Sequence, residues 1–81
     1  MSELNLLVAD DHPLLRAAVV HSLRQGLPQV NVREVASAEA LEQALDQHPD
    51  VDLVLLDLDL PDRDGLSVLD EIVVRHPAAG V

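Results

Sequence analysis

Apolar residues along this chain gather in short blocks that switch between two spacings. Leu4 to Ala9 (LNLLVA) is a brief apolar run that stops at Asp10-Asp11, which suits a buried strand better than a helix of useful length. Pro13 stands where a first helical turn tolerates it, and Leu15, Val19, Leu23 and Leu27 recur at every fourth residue, with Gly26 marking the stop. This predicts a helix with that stripe turned inward. Val30 to Ala36 (VNVREVA) is rich in β-branched residues and half alternating, as a sheet-edge strand is. Ser37 then caps a second helix carrying Ala38, Leu41, Ala44 and Leu45 on one face, ended by His48-Pro49. Asp52 to Leu56 reads as a third strand. Leu66 to His76 reads as a third helix, with Leu66, Leu69, Ile72 and Val73 inward and His76-Pro77 as its terminator.

The order is therefore βαβαβα, which predicts a parallel α/β sheet, and right-handed crossovers put helix 1 on one face and helices 2 and 3 on the other. The expected architecture is a three-layer, doubly wound sandwich with strand order 2-1-3. In that order strands 1 and 3 are neighbours whose connections leave in opposite directions. The gap at their carboxyl ends is then a topological switch point, where open α/β sheets hold ligands. Asp10 and Asp11 close one of those strands and Asp57 the other. Three carboxylates from distant positions are thus expected in one small volume.

Composition narrows the chemistry. At 81 residues the chain accommodates one domain, and its 48% apolar content includes no aromatic residue, so the core must be built from Leu, Val and Ala. There is no Cys, Lys or Thr. The formal charge of −10 argues against direct binding of this segment to nucleic acid or to an anionic membrane. The longest apolar runs fall far short of the roughly 20 residues needed to span a bilayer. The opening MSELN lacks the charged and apolar regions of a signal peptide, and a cytoplasmic location is expected. Carboxylates this close need a cation, and an oxygen-only ligand set suits Mg²⁺ with water and a phosphate oxygen. A carboxylate beside such a metal can attack a phosphoryl donor and become an acyl phosphate; Asp57 is the candidate nucleophile.

From Leu4 to about Ala79 the chain resembles the receiver domain of two-component response regulators, which has a flavodoxin-like fold. LLVADDHPLLRAAV is similar to the NarL/LuxR-type transcriptional regulators. Three pieces agree in register: the acidic pair closing the first strand (VADD), the lone Asp closing the third (LLD), and Pro61 and Gly65 four and eight positions after Asp57. The resemblance implies Asp57 as phosphoacceptor, Asp11 as a direct Mg²⁺ ligand, and Asp10 as a partner that holds the metal through water or through the residues that ligate it. It implies that Asp59 contributes its backbone carbonyl, that Pro61 and Gly65 shape the loop, and that Asp62 and Asp64 are solvated turn residues. It also implies a sensor histidine kinase as partner and DNA binding by a separate C-terminal domain.

Relative to that family, residues 1–81 are expected to be the N-terminal part of a receiver, truncated after the third βα unit. The family's Thr or Ser ending strand 4, and its Lys and aromatic on strand 5, have no counterpart; Ser2, Ser22, Ser37 and Ser67 fall elsewhere. Without that Lys, phosphotransfer and its readout are expected to be weakened. Strand 3 (Val51 to Leu56) becomes an exposed apolar edge, which predicts a homo-oligomer paired through it, with Val20, Val68 and Val74 as further interface candidates. Each marker also has a plainer reading. Asp10-Asp11 serves equally as N-terminal capping of a helix, and His12 reads as structural because the four His residues show no ligand spacing. Two other functions fit parts of the pattern. One is a degenerate receiver acting only as a dimerisation module. The other is a haloacid-dehalogenase-like phosphohydrolase, with Asp57 as nucleophile and Asp59 as acid/base.

Overall fold

The computed structural model describes residues 3–27 and 29–81, so Ser2 lies outside the described residues. Its elements are β1 (Leu4–Ala9), α1 (Pro13–Gly26), β2 (Val30–Val35), α2 (Ala38–Gln47), β3 (Leu53–Leu56) and α3 (Gly65–Arg75). All lie within one residue of the ranges expected from periodicity. The punctuation works as the residue chemistry requires. Pro13 opens α1, the Ser37 hydroxyl accepts from Ala40 N–H at the start of α2, and His48 and His76 close α2 and α3 just before their prolines.

The three strands form a parallel sheet in the order β2-β1-β3. The register sets Leu7 beside Val54 and Ala9 beside both Val35 and Leu56. Those residues share one face, where α2 and α3 close over them and Leu41, Leu45, Val68 and Ile72 complete the main core. On the opposite face Leu6 and Val8 are buried together with Val20 of α1. No helix among the described residues is long and apolar enough to cross a membrane.

Two helices are rotated from the expected phase. On α1 the deeply buried side chain is Val20, whereas Leu15 is 55% exposed. On α3 Gly65, Val68 and Ile72 point inward, while Leu66 and Val73 face solvent. Val20 and Val68 are therefore core residues and not interface candidates; Val74 is 78% exposed. The reason is that both helices carry apolar residues on two adjacent stripes, each with helical spacing, so periodicity leaves the phase open. In α3 the phase is set by Gly65, where an added Cβ would lie 2.4 Å from the Leu58 Cα and carbonyl oxygen. The helix start is pressed against backbone there.

The β3 edge is less bare than the sequence suggests. Val54 N–H donates to the Gly80 carbonyl at 2.7 Å, and Gly80 N–H donates to the Asp52 carbonyl at 2.9 Å. Gly80 thus occupies the first half of that edge in a parallel bridge with Leu53.

Candidate functional site

The site grows from the ends of β1 and β3. Because Ala9 pairs with Leu56, and Asp57 N–H donates to the Ala9 carbonyl at 2.9 Å, the residues following both strands emerge side by side. Asp10, Asp11 and Asp57 each contribute a carboxylate oxygen to a group whose atoms all lie within 4.8 Å of one another. The three carboxylates expected at the switch point do converge.

The same group contains His12, which had been expected to be merely structural. Its Nδ1 lies 2.7 Å from Asp10 Oδ1, 3.1 Å from Asp11 Oδ1 and 3.4 Å from Asp57 Oδ2. The side chains around the cluster are therefore not oxygen-only. The cause is local: His12 occupies the N-cap position of α1, and its N–H donates to Asp10 Oδ1 at 2.9 Å, which folds the ring back over the acids. These two bonds from His12 hold the Asp10 carboxyl below its ordinary pKa, and Asp10 with Asp11 pushes the His12 imidazole above its own. The neighbouring carboxylates thus favour the protonated form of the His12 ring.

Arg16 fixes the other side of Asp10. Its Nη1 donates to the Asp10 carbonyl at 2.7 Å and its Nε to Glu34 of β2 at 3.1 Å. Nothing in the sequence pattern singles out Arg16 beyond its place one turn after the acidic pair. The Asp11 Oδ1 atom is buried and has no hydrogen-bond partner among the described residues, although His12 Nδ1 lies 3.1 Å away. A buried carboxylate oxygen without a partner costs free energy that a coordinated cation would offset. The three carboxylates of the group suit a hard divalent cation such as Mg²⁺, whereas His12, its fourth member, is not a donor such an ion favours.

The loop after Asp57 sorts its acids into different tasks. Asp59 N–H donates to Asp57 Oδ1 at 3.0 Å, which turns the chain and restrains the Asp57 carboxylate; the Asp59 carboxylate itself is outside the converging group. Pro61 is exposed, while Leu60 before it is buried in the core. Asp62 is not simply a solvated turn residue: its carboxylate accepts from Ala38 N–H at 2.8 Å and Glu39 N–H at 2.9 Å, capping α2 from another loop. Asp64 sits at the N-cap of α3 and accepts from the Ser67 hydroxyl at 3.2 Å.

A parallel α/β sheet with carboxylates gathered at its switch point belongs to the doubly wound class that holds ligands at strand ends. Within that class, residues 6–81 match the response regulator receiver domain, and the chain belongs to that family. The glycerol metabolism activator of Pseudomonas putida is 42% identical over 64 residues, covering 79% of this chain and 29% of that protein. The nitrate/nitrite response regulator protein NarL of Escherichia coli is 38% identical over 69 residues, covering 83% of this chain and 31% of NarL. A protein-glutamate methylesterase/protein-glutamine glutaminase of Carboxydothermus hydrogenoformans is 35% identical over 79 residues, 95% of this chain and 22% of that enzyme. Among solved structures, RcsB of Salmonella enterica bound to promoter DNA with a phosphomimetic superposes with a TM-score of 0.86. It is 29% identical, and the match covers 96% of this chain and 39% of that one. The chain thus spans about a third or less of the curated relatives it matches. Its likeness to NarL/LuxR-type regulators holds, and the family match displaces the haloacid-dehalogenase-like alternative.

Proposed function

We propose that Asp57 accepts a phosphoryl group from a sensor histidine kinase, with Mg²⁺ held at Asp10, Asp11 and Asp57. The observation that carries this reading is the convergence of three carboxylates with one buried oxygen, Asp11 Oδ1, that has no hydrogen-bond partner among the described residues. Asp11 and Asp57 would ligate the ion directly, Asp10 would act through water because its Oδ1 is already taken by His12, and the Asp59 carbonyl would be a further ligand. When bound, the ion would supply positive charge at the phosphoryl oxygens.

The chain's own residues do the rest. A carboxylate oxygen of Asp57 attacks the phosphorus, the new C–O–P link forms as the bond to the donor nitrogen breaks, and the donor imidazole leaves with that electron pair and takes up a proton. The Asp59 N–H, already on Oδ1, holds the nucleophile's orientation. Pro61 and Gly65 shape the loop, Gly65 by admitting the Leu58 backbone at a distance no side chain permits. The reading makes the chain a phosphoacceptor rather than a turnover enzyme, cytoplasmic, and part of a protein that regulates transcription through DNA contacts made outside this segment. Residues 1–81 would then be the N-terminal part of a receiver, with Gly80 lying beside β3 where the family's next strand runs. A homo-oligomer paired along Val51 to Leu56 would have to displace Gly80 from Val54, so a monomer by light scattering is the outcome that removes it.

The test is intact mass after incubation with Mg²⁺ and acetyl phosphate. The chain should gain one phosphoryl group and Asp57→Asn should gain none. An unmodified chain would leave the degenerate, interaction-only receiver as the better reading.

A further inference from the structure

The loop from Asp57 to Asp64 carries four carboxylates and must nevertheless hold the Asp57 side chain and the Asp59 backbone at fixed spacing. Like charges in a surface loop repel and favour an open ensemble. Two adjacent side chains oppose this from outside the acidic cluster. Asp62 places both carboxylate oxygens on the first two N–H groups of α2, at 2.8 Å and 2.9 Å, while Ser37 takes the third at 3.1 Å. Its negative charge is thereby drawn to the positive end of a helix and away from the cation site. Arg63 then joins three elements: its Nη1 meets Glu42 of α2 at 2.7 Å and Glu71 of α3 at 2.9 Å, and its Nη2 donates to the second Glu71 oxygen. The bidentate contact pulls Glu71 down to about 2.

We propose that Asp62 and Arg63 are positioning residues that pin the phosphoacceptor loop to α2 and α3, so that metal and phosphoryl affinity at Asp57 depends on contacts made to the N-terminus of α2. Neither residue touches the reacting atoms. The inference rests on the reading of Asp57 and Asp11 as the Mg²⁺ site.

The experiment titrates Mg²⁺ into the chain and follows the Asp57 amide by NMR, at a temperature where every variant keeps the wild-type circular dichroism. If the loop is competent only a tenth of the time once released, Asp62→Ala should weaken Mg²⁺ about tenfold. Arg63→Ala should weaken it in the same sense. Asp62→Asn keeps one oxygen for the helix and should recover most of the loss. Asp64→Asn removes the same charge from the same loop without touching α2 and should leave affinity near wild type. Equal affinity of Asp62→Ala and wild type overturns the proposal, as does a loss in Asp64→Asn as large as in Asp62→Ala. If the wild-type chain shows no saturable response to Mg²⁺, the metal reading fails separately. The loop inference is then decided by amide exchange in the metal-free protein, where Asp62→Ala must speed exchange from Asp57 to Gly65 and at Ala38 and Glu39. Unchanged exchange overturns it.

Discussion

The two faces of this small sheet are covered unequally. On one, α2 and α3 close over Leu7, Ala9 and Val54, and the side chains interlock into a single buried cluster. On the other, Leu6, Val8 and Val20 of α1 are buried, and Leu15 is exposed along an open groove with Val19 and Leu55 that ends at Asp10 and Asp57. Within these residues the main apolar cluster lies on the α2/α3 side, and the acids lie at the strand ends beside the groove. The closed face anchors the loop behind the site through Leu60, Gly65, Asp62 and Arg63, while the groove on the other side borders Asp10 and Asp57.

The sharpest way to break this contrast is to shave each face. Leu41→Ala removes a side chain with no exposed surface and should cost about 2–5 kcal/mol in urea unfolding, whereas Leu15→Ala should stay within about 0.5 kcal/mol. Equal costs would mean that the faces are equivalent. Gly65→Ala comes next, because its methyl must displace the Leu58 backbone; overpacking of this kind costs about 1–3 kcal/mol. Ser37→Ala removes the hydroxyl from Ala40 N–H and should cost about 1 kcal/mol, a measure of how much the start of α2 owes to its own cap rather than to Asp62.

The smallest effect belongs to the open side and is read as pH dependence without metal. His12 titrates above its ordinary 6.5, so its contribution is complete below that value and is lost as pH rises through the higher folded value. Asp10 titrates below its ordinary 3.8, so its contribution is complete above that value and is lost as pH falls through the lower folded one. Metal-free stability should therefore be greatest between these two values, and His12→Asn should flatten the alkaline limb of denaturation midpoints measured against pH.

Much of this was legible in the chain. The apolar blocks, Pro13, Ser37 and the twin His-Pro pairs marked every element to within a residue, because each acts through bonds to its own neighbours. Asp10, Asp11 and Asp57 were legible as a site because strand order, once inferred, leaves their strand ends no other place to go. Helix phase was not legible, since Leu66, Leu69 and Val73, at i, i+3 and i+7, offer α3 a helical stripe beside that of Val68 and Ile72, at i and i+4.

What the sequence determined by itself is therefore periodic and local: which segments are strands and helices, where they stop, and which carboxylates the topology must gather. Only the tertiary structure decided which apolar stripe is buried, that His12 turns into the acidic cluster, that Gly80 lies on the β3 edge, and that Asp62 caps a helix 23 and 24 residues away in sequence. The physical reason is common to three of them, the turn of His12 being a local contact with Asp10. Each of the three depends on a partner distant in sequence or on a close contact between elements, and neither spacing nor composition carries that information.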